Sequence, residues 1–203
     1  MTEKKNIAAS VHQRLYNRAK ESNEDFNLLL IRFANEPFLY RLSVSEYQSH
    51  FLLKGAWLFA LWFDYPHRPM RDVNLLGFGS SEIADTERVF RQICAVETED
   101  GLRFEVGSVK GAEIREGQEY HGIRITLTSY LGKARINLQV DVGFGDTVSP
   151  PAETVDFPTV LDFPAPRLLA YPKETVVAEK FEALIKLGMD EGFLGFANFN
   201  RRV

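Results

Sequence analysis

The sequence predicts an α/β protein, a mixed sheet with helices flanking it. Three observations predict it. Phe51–Gly79 runs as a short apolar strand, a Lys54-Gly55 turn, an apolar helical stretch (Ala56 to Phe63), a Pro-containing turn and a second strand at Arg71–Leu76. Residues 123–142 alternate apolar and polar on both sides of a tight turn, the pattern of a half-buried hairpin. Helical apolar stripes lie before, between and after these segments.

The elements follow in order. Val11, Leu15 and Ala19, then Phe26, Leu29, Leu30 and Phe33, recur at helical spacing over residues 8–34, with Ser22-Asn23 as a point where this helix can break in two. A further helical piece, Glu36–Leu42, leads to a cap at Ser43 or Ser45. Beyond the Phe51–Gly79 segment, Ser80 or Ser81 can cap a helix over Glu82–Val96 that turns Ile83, Val89, Phe90 and Ile93 inward. Thr98–Gly101 reads as a turn, and residues 102–121 as short strands and polar loops. In the hairpin, Ala134, Ile136, Leu138, Val140 and Val142 share one face, so Arg135, Asn137, Gln139 and Asp141 share the other. Residues 146–172 hold six of the nine prolines and read as an extended connector with one short strand near Thr159–Phe163. A helix opens at Tyr171-Pro172-Lys173-Glu174, with Val176, Val177, Phe181, Leu184 and Ile185 along its stripe.

Composition narrows the function classes. The 203 residues suffice for one ordinary domain or two small ones, and 45% hydrophobic content allows a substantial core. A net charge of −4 argues against a surface that grips nucleic acid everywhere, while leaving room for a local basic groove. The single cysteine, Cys94, cannot form an intramolecular disulfide and sits in an apolar helical run, so burial is expected. With no signal peptide at the N-terminus, a cytoplasmic location is expected. No apolar run reaches the length of a membrane span, and the four scattered histidines give no zinc spacing.

The chemistry lies in the second strand. Asp72 and Asn74 share one strand face, while Val73 and Leu75 face the core. Two oxygen ligands at a strand end can hold Mg²⁺ together with the phosphates of a nucleotide, and such transfer needs mainly positioning and charge neutralisation. Gly55 lets backbone N–H groups approach a phosphate, and Lys54 adds a point charge. Taken singly, each feature also has a bland reading. Lys54-Gly55 is then only a turn, and Asp72-x-Asn74 a solvated strand end. Asp141 becomes a third oxygen ligand if its strand lies beside that of Asp72; otherwise it is the polar side of a half-exposed strand. Lys180, beside an apolar stripe, either snorkels on the helix flank or reaches a triphosphate.

The order of strand, Lys-Gly turn, helix and Asp-x-acid strand is that of a nucleotidyltransferase core. The chain resembles the AbiEii-type nucleotidyltransferase toxins of bacterial abortive-infection and toxin–antitoxin systems. The resemblance runs from about Val11 to Leu187, through LKGAWLFALW, PHRPMRDVNLLGFG, GIRITLTSYLGKARINLQVDVGFGD, LDFPAPRLLAYP and ETVVAEKFEALIKLG. It implies a nucleotidyltransferase-fold mixed sheet with flanking helices, and a C-terminal helical part. It also implies Mg²⁺, an NTP substrate, nucleotidyl transfer to an RNA such as tRNA or to a protein acceptor, and a cognate antitoxin. Carried over by position, Lys54, Gly55 and Ala56 match the phosphate-binding motif, Asp72 the first metal carboxylate and Lys180 the lysine of the downstream helix. Asp141 is the candidate third carboxylate by analogy.

Two departures stand out. The family has an acid where this chain has Asn74, which lowers the charge offered to a metal. The last residues, MDEGFLGFANFNRRV, do not match the family's Arg/Lys-Asp motif, so the C-terminal helical part is expected to be truncated. The expected organisation is an N-terminal helical segment (1–48), the nucleotidyltransferase core (49–165), and a C-terminal helix with a divergent tail (166–203). Three functional readings stay open: an active enzyme, a silent remnant that binds nucleotide or antitoxin only, and a plain interaction domain.

Overall fold

The structure is a computed structural model and describes residues 6–62, 71–116, 119–179 and 181. Its helices are α1 (Ile7–Ser22), α2 (Phe26–Val44), α3 (Phe59–Trp62) and α4 (Ile83–Cys94). Its strands are β1 (Phe51–Lys54), β2 (Asp72–Gly77), β3 (Leu102–Glu116), β4 (Glu119–Leu131), β5 (Ala134–Phe144), β6 (Glu153–Asp156) and β7 (Arg167–Ala170). The strands form one mixed sheet in the order β3-β4-β5-β2-β1-β7-β6. The β2–β5 and β1–β7 pairs are parallel and the others antiparallel. No helix among the described residues is long and apolar enough to cross a membrane.

The two faces of the sheet differ because side chains alternate along each strand. Leu53, Val73, Leu75, Ile123, Ile125, Val140 and Val142 are all buried in one hydrophobic cluster with α1, α2 and α4. Phe38 of α2 stacks on Phe90 of α4, and Phe90 meets Phe51 of β1 edge to face, which ties both helices to the sheet. The opposite face carries Lys54, Asp72, Asn74, Arg124, Gln139 and Asp141.

Local chemistry sets the helix limits. Asn6 and Asp25 cap α1 and α2 by accepting from the Ala9 and Leu28 N–H groups. The helix predicted over residues 8–34 does break at Asn23, which adopts the left-handed conformation. The piece predicted at Glu36–Leu42 continues α2 directly. The buried stripe of Phe33, Phe38, Leu39 and Leu42 holds the helix through Pro37. The Ala56–Phe63 stretch begins as a 3₁₀ turn, Gly55–Leu58, before α3. Ser80 accepts from the Glu82 N–H at the entry to α4, where Glu82 takes the capping position. Cys94 is buried as expected, and burial pushes its thiol up to about 12.

Two regions differ from the sequence reading. Residues 102–116 form one long edge strand instead of short strands and loops, with a register shift between Glu105 and Lys110. Ser108 fills the shift, donating to the Glu105 carbonyl (2.6 Å) and accepting from the Thr128 N–H (2.8 Å). Its charged side chains hid the strand, and charge is what an edge strand tolerates. In the proline-rich connector the strands are β6 and β7; the expected strand near Thr159–Phe163 is absent. The helix after Pro172 is described over residues 173–179 and at 181; the rest of the predicted helix and the tail lie outside the described residues.

Two buried polar groups lock this scaffold. Arg41 engages all five donors: Nε on the Val96 carbonyl (2.9 Å), the two terminal nitrogens on Pro37, Leu102 and both oxygens of Asp100. Asp100 also accepts from the Leu102 N–H (2.7 Å) and the Thr98 hydroxyl (2.5 Å). The pair therefore fastens α2 to the turn that launches β3. Arg41→Ala leaves the Asp100 charge buried without its partner and is expected to cost about 3–5 kcal/mol in chemical denaturation. Glu36 accepts from the Val160 N–H (2.8 Å) and is only 2% exposed. Burial raises its carboxyl to about 8, outweighing that bond and Arg32 at 3.6 Å. Because the folded value lies above the ordinary 4.5, the stability this group contributes is complete below 4.5 and lost as pH rises through about 8. Denaturation at a series of pH values is expected to show that decline in the parent and a flatter profile in Glu36→Gln.

Candidate functional site

The register of four neighbouring strands builds the site. Lys54 of β1 is the lateral partner of Asn74 of β2, Asn74 of Asp141 of β5, and Asp141 of Arg124 of β4. Lateral partners present their side chains on the same face, so the four form one row across the polar side. Asp72 pairs with Gln139 two residues along, on the same face. The condition set for Asp141, that its strand lie beside that of Asp72, is therefore met, with Asn74 as its direct neighbour.

The Lys54-Gly55 turn closes one end of the row. Gly55 has φ +73°, where a side chain is strained, and an added Cβ would sit 3.1–3.3 Å from the Asn74 side chain. The turn is pinned from behind by Trp57, which is fully buried and donates its indole N–H to the Asp72 carbonyl (2.9 Å). Ala56 stands half-buried in the same turn. The Lys54 ammonium donates to Asp146 (2.7 Å) and Glu179 (3.1 Å) and lies 5.5 Å from the Tyr171 ring centroid. Burial pulls this ammonium down, but the two carboxylates outweigh burial and hold it above its ordinary value. Tyr171 donates to Asp146 (3.2 Å); burial, then Glu179 and Asp146, push its phenol upward.

At the other end Arg124 forks onto Asp141, with Nε to Oδ1 at 2.9 Å and Nη2 to Oδ2 at 2.8 Å. The bond to Asp141 raises the guanidinium above its ordinary value, and the charge of Asp72 adds to this. With its amide oxygen turned toward Arg124, Gln139 accepts from Nε (3.1 Å) and Nη2 (3.3 Å).

The donor set can be tested against a divalent cation. Asp72 is exposed, Asn74 half-buried, and the Asp141 side chain 19% exposed, all on one face. Among the described residues no three His, Cys, Asp or Glu side chains gather into a metal cage. Mg²⁺ commonly needs only one or two carboxylates, completing its shell with water and substrate phosphates. Two carboxylates and one amide oxygen fit that kind of site. Among the described residues, four carboxylates (Asp72, Asp141, Asp146, Glu179) also outnumber two cations (Lys54, Arg124) along the row. An unaccompanied triphosphate would be repelled there, and a divalent ion reverses that balance.

The structure thus brings together Lys54, Gly55, Ala56, Asp72, Asn74 and Asp141. Lys180 lies outside the described residues, one position beyond Glu179, which reaches Lys54. Sequence reasoning missed Arg124, Asp146, Glu179 and Tyr171 as members of the site. Arg124 was within reach: a two-residue turn fixes the hairpin register, and counting back from it sets Arg124 opposite Asp141. Asp146, Tyr171 and Glu179 arrive from a connector and a helix, where no periodicity assigns a direction.

The family model described as nucleotidyl transferase AbiEii toxin, type IV toxin–antitoxin system, matches residues 37–192. A crystal structure of a provisionally assigned nucleotidyltransferase from H. pylori superposes with a TM-score of 0.43 at 12% identity, covering 71% of this chain and 53% of that one. The match thus spans about half of that structure's length. No curated protein matches the sequence. The family match takes in the Lys54-Gly55 turn, the Asp72 strand and the Asp141 hairpin in order over most of the length, and the chain belongs to the AbiEii nucleotidyl transferase toxin family.

Proposed function

We propose that the chain is the toxin component of a toxin–antitoxin pair and transfers a nucleotide from an NTP to an RNA, tRNA-like, or protein acceptor with Mg²⁺. The observation that carries this reading is the row Lys54–Asn74–Asp141–Arg124, closed by a glycine turn that leaves space beside Asn74. Asp72 and Asp141, with the Asn74 oxygen, are the residues to hold the metal. When bound, Mg²⁺ neutralises phosphate charge and orients the α-phosphate for in-line attack. Lys54 supplies a positive charge to the phosphate chain, and the Gly55 turn lets the backbone approach it. Lys180 is the candidate for a second phosphate contact. A cognate antitoxin is the implied protein partner, the cytoplasm the implied location and phage defence the implied setting.

One alternative has specific support. The Arg124 fork on Asp141 and the neutral amide at Asn74 both weaken metal binding, which favours a form that binds nucleotide or antitoxin without turnover.

Transfer is tested by incubating the protein with each α-labelled NTP, Mg²⁺ and RNA or protein fractions. Label is expected in a macromolecule with at least one NTP, falling by about a hundredfold or more in Asp72→Ala, as for loss of a principal charge-stabilising group. Asn74→Asp is expected to raise the rate at low Mg²⁺. Absence of label with every NTP, while NTP binding persists, selects the non-catalytic alternative.

A further inference from the structure

What Arg124 does at the row rests on the proposed reading that Asp72, Asn74 and Asp141 are the metal's ligands. Its fork occupies both oxygens of Asp141. The hairpin register favours this contact: the two residues are direct partners on β4 and β5, with Gln139 against the same guanidinium. The Asp141 side chain is 19% exposed and that of Arg124 45%, so the arginine is the more solvent-accessible member of the pair. Mg²⁺ needs near-ideal octahedral directions and sheds its water reluctantly. At Asp141 it competes with the fork for the carboxylate's lone pairs and charge, and it meets a positive charge at hydrogen-bond distance from its ligand.

We infer that Arg124 competes with the divalent cation for Asp141 and so latches the site until metal and nucleotide arrive together. A nucleoside triphosphate supplies the phosphate oxygens that take over the released guanidinium, for which the planar fork is well shaped. Metal binding and nucleotide binding are thereby coupled through one side chain. The coupling is reciprocal: each ligand tightens the other by the same factor.

The test is a titration of Mn²⁺, read by electron paramagnetic resonance, against the parent, Arg124→Ala, Arg124→Lys and Asp141→Ala. It is done with and without a non-hydrolysable NTP analogue, and folding is checked by circular dichroism. Without nucleotide, Arg124→Ala is expected to bind Mn²⁺ about fivefold more tightly than the parent, the scale of one partly exposed ion pair. Arg124→Lys should fall between them, and the analogue should tighten Mn²⁺ more in the parent than in Arg124→Ala. Equal Mn²⁺ affinity in parent and Arg124→Ala, with loss in Asp141→Ala, overturns the latch and leaves the metal reading standing. No Mn²⁺ binding in any variant, even with the analogue, overturns the metal reading and the latch with it.

Discussion

The parallel pairing of β2 with β5 is the constraint on which the site depends. It sets Asn74 beside Asp141 and Asp72 beside Gln139, while the antiparallel neighbours on either side add Lys54 and Arg124 to the same row. A slip of one residue in any of these pairs would turn a polar side chain into the helix-covered core and an apolar one into the site. The buried residues between them, Val73, Leu75, Val140 and Val142, prevent that slip because each is held at 1% exposure or less against the helices. Hydrophobic packing on one face therefore positions charge on the other.

The charges so placed are not self-sufficient. Lys54 is held by Asp146 and Glu179, and Arg124 by Asp141, so each cation on the row already has an anionic partner. On the proposed reading, a phosphate chain entering this site would exchange with those carboxylates, and a divalent ion would favour that exchange. The neutral amide of Asn74 would offer such an ion less negative charge than a carboxylate, while Gly55 keeps the space beside the amide open. Ligand strength and access thus pull in opposite directions at one position. The scaffold beneath holds a fully paired charge: Arg41 and Asp100 join α2 to β3 with every guanidinium donor used.

Much of this was legible in the sequence, for physical reasons. Val73 and Leu75 against Asp72 and Asn74, and the alternation through β5, state the strand period directly, and both strands fall where that period sets them. Gly55 before an apolar run marked the turn. The long edge strand β3 stayed hidden because its charged residues and bulge break the alternation. β6 and β7 stayed hidden because four-residue strands between prolines carry too short a pattern. The partners of Lys54 were unreadable because Asp146, Tyr171 and Glu179 are brought to it by tertiary contacts alone.

The most direct measurement is calorimetric titration of the purified chain with each NTP in Mg²⁺, repeated with Lys54→Ala and Asp72→Ala. A single assembled phosphate and metal site predicts binding of at least one NTP to the parent, weakened by about tenfold or more in each variant, the scale of a lost charge-assisted contact. Equal binding in all three proteins, or no heat with any NTP, would contradict it.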